Sequence, residues 1–169
     1  MIVLNEDSMI SIGQKIPSVT IKQATPEGGT DVDPSVLFAG KKVVMFSLPG
    51  AFTPTCSAKH LPGYVANLAN LKSQGVDMVV CLSVNDAWTM KAWAEAHDAM
   101  GKIVMLADGA AAFTKALGIE VDLTQFHMGV RAGRGLFTIE DGTVTAMEME
   151  APGKFEVSSA EACLLTLKK

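Results

Sequence analysis

Pro49-Gly50-Ala51-Phe52-Thr53-Pro54-Thr55-Cys56 follows the apolar run Val43-Val44-Met45-Phe46 and precedes a long amphipathic segment, which places Cys56 in a turn between a strand and a helix. A sulfur delivered to the first turn of a helix meets unpaired backbone N–H groups and the positive end of the helix dipole, and both favour thiolate over thiol. Thr53 brings a hydroxyl to the same loop three residues earlier, and Pro49 and Pro54 restrict the backbone that carries both groups. The spacing reads as an activated nucleophile.

Outward from this loop the chain alternates strands and helices. Towards the N-terminus, Lys42 to Ser47 is a continuous apolar run of the buried-strand type, Asp33-Pro34 opens a short helical piece through Phe38, and Ile16 to Gln23 is an expected strand closed by the turn Thr25 to Gly29. Towards the C-terminus, Leu61, Val65, Leu68 and Leu71 mark one face of a helix that Gly75 ends. Pro62-Gly63 predicts a kink in it, either a packing feature or a first turn that unwinds when Cys56 is oxidised. Val76 to Val84 and Ile103 to Ala107 read as further strands, each followed by a helix, with caps at Asn85-Asp86 and Asp108. Leu136 to Glu140 and Thr143 to Glu148 flank Asp141-Gly142, a two-residue hairpin signal, and Ser158-x-x-Glu161 forms a capping box for the last helix. That order predicts an α/β layered domain with a mixed sheet.

The length of 169 residues suits one domain, 1–169, with a loose N-terminal segment over the first ten residues. A net charge of −4 and no basic face argue against a nucleic-acid surface. Asn5-Glu6-Asp7 breaks the first apolar run before signal-peptide length, and no run approaches the roughly 20 residues that span a bilayer. Three cysteines without a C-x-x-C pair fit a reducing compartment, the cytoplasm or an organelle reached through a removed transit peptide.

Pro49-x-x-x-Thr53-x-x-Cys56 resembles the active-site signature of the peroxiredoxins, and Pro-Gly-Ala-Phe-Thr-Pro-Thr-Cys-Ser is similar to their type II, or peroxiredoxin-5-like, branch. The resemblance covers nearly the whole chain. It implies a thioredoxin-like fold with a mixed central β-sheet flanked by α-helices. The activity implied is that of a thiol-dependent peroxidase, an oxidoreductase with peroxide as acceptor, serving cell redox homeostasis and antioxidant defence. Hydrogen peroxide and organic hydroperoxides are the implied substrates, and glutathione with glutaredoxin, or thioredoxin, the implied reductant. The resemblance also implies a homodimer and no metal, haem or flavin. Its site residues fall here on Cys56, Thr53, Pro49 and an arginine.

The only arginines, Arg131 and Arg134, lie three apart in Gly129-Val130-Arg131-Ala132-Gly133-Arg134-Gly135. A guanidinium stabilises a thiolate and donates to a peroxide oxygen without losing its own proton. The resemblance assigns the catalytic position to Arg134 and a supporting one to Arg131, although Gly135 stands where an aromatic residue is usual. Cys81, in the apolar run Val79 to Leu82, is either strand packing or a resolving partner for Cys56; Cys163 is expected in the core. His60, His97 and His127 lack metal spacing, and His60 is either a satisfied histidine or a neighbour of the site one helical turn beyond Cys56. Trp88 and Trp93 are expected to face differently, one into the core. The proposed chemistry demands a sulfur reachable from solvent with a guanidinium beside it. A redox sensor or thiol-dependent holdase using the same cysteine is the alternative reading.

Overall fold

The computed structural model describes residues 8–168. Its centre is a strand, β3 (Lys42–Leu48), buried on both faces, which explains why its sequence runs apolar without alternation. Val44, Phe46 and Leu48 point into one core, and Val43 and Met45 into another on the opposite face. β3 pairs in parallel with β4 (Met78–Ser83) and antiparallel with β8 (Gly135–Glu140). With β1 (Ile21–Thr25), β2 (Gly28–Val32), β5 (Val104–Ala107) and β9 (Thr143–Met149) they form a seven-stranded mixed sheet ordered β2-β1-β5-β4-β3-β8-β9. Helices α1 (Pro34–Leu37), α2 (Leu61–Ala66), α3 (Leu68–Ser73), α4 (Ala87–Ala96), α5 (Ala112–Leu117) and α6 (Ala160–Leu167) complete the layers. This is the thioredoxin-like arrangement expected.

Local chemistry sets the ends of these elements. The Asp86 carboxylate accepts from Thr89 N–H and caps α4, and Asp108 accepts from the N–H groups of Phe113 and Thr114 at the start of α5. The hairpin at Asp141-Gly142 forms as expected, both residues lying at positive φ, +48° and +78°. Trp93 is buried and Trp88 is 75% exposed.

Several elements depart from expectation. The first strand begins at Ile21, not Ile16, and the turn after it opens a second strand, β2, which its glycines and polar residues concealed. Two three-residue strands, β6 (Glu120–Asp122) and β7 (Val130–Ala132), pair antiparallel beside the main sheet and carry the arginine segment. The long helix after Cys56 is three pieces: a π-helical turn over Cys56–His60, then α2, then α3 after an interruption at Asn67. The last helix is capped by Ser159, whose side chain accepts from Ala162 N–H, one residue later than the box predicted, because the Ser158 hydroxyl is engaged elsewhere. Of the ten N-terminal residues expected to be loose, 1–7 lie outside the described residues, and Ile10 is buried with its N–H on the Leu117 carbonyl at 2.9 Å.

That docking fixes Gly118, the C-cap of α5. Its φ of +73° is left-handed, and a Cβ there would lie 2.3 Å from the Ser8 carbonyl oxygen. Gly40 has a similar φ of +70° with nothing within 4 Å. Gly40→Ala should therefore cost about 1 kcal/mol of unfolding free energy from conformation alone, and Gly118→Ala at least twice that. Urea titrations of both variants check this, and equal losses would contradict the packing.

Candidate active site

β3 ends at Leu48 and hands the chain to a loop that is tied down at several backbone positions. Thr53 N–H and Oγ1–H both donate to the Gly50 carbonyl, the hydroxyl at 2.7 Å, closing a tight turn. Phe52 inside this turn adopts φ +64°, a left-handed conformation costly for a bulky residue, and its side chain is 55% exposed. Ala51 N–H donates to Asn85 Oδ1, which also takes the Ser83 hydroxyl, so the loop after β4 anchors the loop after β3.

Arg131 is a staple. Its Nε–H donates to the Met128 carbonyl at 2.8 Å, and Nη1–H to the carbonyls of Pro49 and Val84, each at 3.3 Å. Gly50 makes room for it, since a Cβ there would sit 2.9 Å from Arg131 Nη1. The guanidinium binds main-chain oxygens and leaves the sulfur to Arg134. Arg134 Nη2 lies 3.1 Å from Cys56 Sγ, with geometry to donate to it.

The backbone around Arg134 is pinned as well. Its carbonyl accepts from Glu150 N–H at 2.9 Å, Gly133 N–H donates to the Ile119 carbonyl at 2.8 Å, and the Gly133 carbonyl accepts from Ser47 Oγ at 2.7 Å. Gly135, where an aromatic was expected, has no room for one: a Cβ would meet Met149 Sδ at 2.3 Å. Met149 occupies that volume, a use suited to a flexible thioether.

His60 was expected in a satisfied or surface role, with contact to the site the less favoured reading. It is fully buried, and its Nδ1 lies 2.7 Å from Arg134 Nη1. Its Nε2 lies 3.0 Å from the Ser158 carbonyl, which also accepts from Tyr64 Oη–H at 2.8 Å. A carbonyl only accepts and a guanidinium only donates, so the ring is the neutral Nε2–H tautomer with Nδ1 as acceptor. Burial first, and the Arg134 charge second, push the imidazole pKa down to about 3. Phe46 and Tyr64 stack at 4.0 Å beneath it, and Phe155 meets His60 edge-on at 5.0 Å while lying 5.7 Å from the Arg134 guanidinium carbon. Its place one helical turn beyond Cys56 was the one sequence signal for His60; the Ser158 carbonyl that it bonds is 98 residues away.

Cys56 itself opens the π-helical turn, whose wide ring is closed by Leu61 N–H on the Cys56 carbonyl. The sulfur was expected to be reachable from solvent. Instead the residue is 0% exposed, packed in the core that holds Phe46, Leu61, Tyr64 and Cys81. Thr53 and Arg134 beside it are half-buried. Trp93 reaches the same turn, its indole N–H donating to Ser57 Oγ at 2.9 Å. Cys81 lies opposite Phe46 on β4, so it shares the Cys56 face of the sheet; burial, and then the nearby Cys56 charge, push its thiol well above the usual range. Cys163 is buried, as expected, and burial pushes its thiol up to about 12.

The chain matches the Redoxin family over residues 11–164. It is 43% identical over 162 residues to chloroplastic Peroxiredoxin-2E of Arabidopsis thaliana, spanning 94% of this chain and 69% of the relative. The crystal structure of reduced Prx3 in complex with hydrogen peroxide from Vibrio vulnificus superposes with a TM-score of 0.90 at 52% identity, over 94% of this chain and 99% of that one. The 1-Cys peroxiredoxin of Plasmodium falciparum gives 0.88 at 30% identity, over 94% and 99%.

The state of His60 has a consequence for stability. Its folded pKa of about 3 lies below the ordinary 6.5, so below pH 6.5 the unfolded chain takes up a proton that the folded one refuses. The stabilisation is complete above pH 6.5 and lost as pH falls towards 3. Between pH 7 and pH 5, before the carboxylates titrate, this contributes a loss of about 2 kcal/mol. Urea unfolding should show that loss in wild type and lack it in His60→Gln; parallel curves would contradict a buried neutral ring.

Proposed function

Because the chain belongs to the redoxin family and is a type II peroxiredoxin, a thiol-dependent peroxidase, we propose that Cys56 is its peroxidatic cysteine, with Thr53 and Arg134 as its substrate-orienting partners. The observation that carries this is the 3.1 Å contact between Arg134 Nη2 and Cys56 Sγ.

The Cys56 thiolate attacks the distal oxygen of the peroxide, an S–O bond forms as the O–O bond breaks, and the departing oxygen takes a proton to leave as water or alcohol. Arg134 stabilises the thiolate before the step and turns part of its donor capacity to the departing oxygen during it. Thr53 works differently from a second donor. Its proton is committed to the Gly50 carbonyl, so its oxygen is free to accept from the peroxide O–H and align the O–O bond with the sulfur. His60, with its one N–H held by Ser158, supplies no proton. Pro49 shapes the loop and lends its carbonyl to Arg131. Because Cys56 is 0% exposed, a peroxide reaches the sulfur only through a local opening of the packing around it.

An external thiol then takes the sulfenic acid to a mixed disulfide and a second thiol releases Cys56; glutathione with glutaredoxin, or thioredoxin, fits this role. A second reading, resolution by Cys81, is favoured by one observation: the two cysteines share a core face closely enough for their charges to interact. Against it, Cys81 is a fully buried thiol held in a central strand. The protein acts as a homodimer, for which the exposed Phe52 on the Cys56 loop, Phe126, and Val130 beside Arg131 offer apolar surface. Among the described residues no helix is long and apolar enough to cross a membrane, and the relatives include chloroplastic and mitochondrial proteins. A reducing compartment, cytoplasmic or organellar, suits the free thiols.

Steady-state turnover of hydrogen peroxide with glutathione plus glutaredoxin, and with thioredoxin plus its reductase, tests these assignments. Cys56→Ser should abolish turnover with both, and Thr53→Val should lower it about tenfold to a hundredfold. Cys81→Ser should retain turnover with at least one reductant. Activity surviving in Cys56→Ser would overturn the assignment, and loss with both reductants in Cys81→Ser would transfer resolution to Cys81.

A further inference from the structure

Glu150 follows directly after β9 and is 7% exposed, yet no lysine or arginine pairs with it among the described residues. Its carboxylate is satisfied by the chain instead. Glu156 N–H donates to both oxygens, at 2.9 and 2.8 Å, and Oε2 further accepts from Val157 N–H and Ser158 N–H, each at 2.9 Å, and from Ser158 Oγ at 2.6 Å. Three consecutive backbone donors and a hydroxyl converge on one buried anion, a nest-like cradle. Burial alone would raise this carboxyl's pKa, but those hydrogen bonds outweigh it and hold the group below the ordinary carboxylate range.

The segment so gathered backs onto His60 and Tyr64. Ser158 turns its N–H and hydroxyl to Glu150 and its carbonyl to His60 Nε2 and Tyr64 Oη. Phe155, three residues earlier, lies over both His60 and Arg134. The connection between Glu150 and Glu156 reverses through Ala151-Pro152-Gly153-Lys154, with Gly153 at φ +74° and Lys154 N–H on the Ala151 carbonyl at 3.0 Å, the pattern of a type II turn. This turn is short, exposed and has little core of its own. The carboxylate gathers the N–H groups of 156–158, while His60 and Tyr64 hold the Ser158 carbonyl from the other side.

The bonds form a closed circuit. Glu150 N–H donates to the Arg134 carbonyl, the Glu150 carboxylate gathers 156–158, the Ser158 carbonyl takes the His60 Nε2 proton, His60 Nδ1 accepts from Arg134 Nη1, and Arg134 Nη2 meets Cys56. We propose that Glu150 is a positioning residue for the peroxidase reaction: by placing the Ser158 carbonyl it fixes the His60 tautomer, and the resulting acceptor at Nδ1 aims the Arg134 guanidinium at Cys56. Were the Ser158 carbonyl to move away, the His60 proton would be free to shift to Nδ1, where it would oppose the guanidinium instead of accepting from it. This inference rests on the reading of Arg134 as the donor to the reacting sulfur.

The substitution that separates the two is Glu150→Gln, which keeps the size of the side chain but turns one of its acceptor oxygens into a donor facing N–H groups. Stopped-flow fluorescence in a Trp88→Phe background, where Trp93 is the one tryptophan and bonds Ser57 next to Cys56, reads the second-order rate of sulfur oxidation by hydrogen peroxide in the parent, Glu150→Gln, Arg134→Ala and the double variant. The expected result is a loss of about tenfold in Glu150→Gln that shrinks below about twofold when Arg134 is already alanine. Long-range ¹H–¹⁵N spectra of His60 should show the Nε2–H tautomer in wild type and a mixture in Glu150→Gln, a change that loss of stability alone does not produce. If Glu150→Gln does not fold, Ser158→Ala removes only the hydroxyl from the cradle and should show the same pattern in weaker form. An unchanged rate in Glu150→Gln, or an undiminished loss in the Arg134→Ala background, overturns the proposal while leaving Arg134 in its role. An unchanged rate in Arg134→Ala removes that role and the proposal with it.

Discussion

A guanidinium held 3.1 Å from a fully buried sulfur is the interaction on which the rest of the site depends. Burial by itself works against a thiolate, because an anion taken out of water loses its hydration. A fixed cation with directed N–H groups acts in the opposite sense, and in a water-poor setting each such bond is stronger than it would be at the surface. Ionisation alone accelerates little: a free cysteine of pKa about 8.5 is roughly 3% thiolate at pH 7, so full conversion gains about thirtyfold. The larger factors come from orientation and from donors already aimed where charge develops, and both require that Arg134 not wander.

Contacts from several elements converge on this site. β3 contributes Phe46 as a floor for His60 and Tyr64, and its Ser47 hydroxyl holds the Gly133 carbonyl next to Arg134. β9 contributes Met149 against Gly135 and passes the chain to Glu150. The loop after β4 contributes Asn85 to the backbone of the Cys56 loop, and α4 contributes Trp93 to Ser57. The two arginines divide the labour: Arg131 spends its donors on carbonyls and sets the loop, while Arg134 keeps one for the sulfur and one for His60. The strained Phe52 inside this loop is tolerated because hydrogen bonds on either side over-determine its conformation.

What could be read from the chain was local. The strand–turn–cysteine spacing, the apolar run of β3, the Asp141-Gly142 hairpin and the caps at Asp86 and Asp108 all express short-range rules, and the fold follows from their order. Arg134 stood out through its rarity and its family resemblance, not through any contact that spacing could predict. His60 was legible as a neighbour of the site by its place after Cys56, but its tautomer was not, because what fixes it is a carbonyl 98 residues away. Glu150 escaped for a similar reason: nothing in Glu150-Ala151-Pro152-Gly153-Lys154 signals that the chain returns to wrap its own carboxylate. The strands β2, β6 and β7 are short, polar or glycine-bearing, so a two-residue period had too few apolar positions in which to appear. The burial of Cys56 was likewise hidden, since a loop rich in Pro and Thr reads as surface until the helices pack over it.

We propose that Arg134 assists the displacement on oxygen and not merely the ionisation of the sulfur. Parallel rates of Cys56 reaction with hydrogen peroxide and with iodoacetamide at one pH, in wild type and Arg134→Ala, address it directly. Alkylation needs the thiolate but places no charge on a departing oxygen, so the ratio of the two rates isolates the contribution to the O–O step. Arg134→Ala is expected to lower the peroxide rate about a hundredfold or more beyond its effect on alkylation. A ratio equal to that of wild type would contradict it.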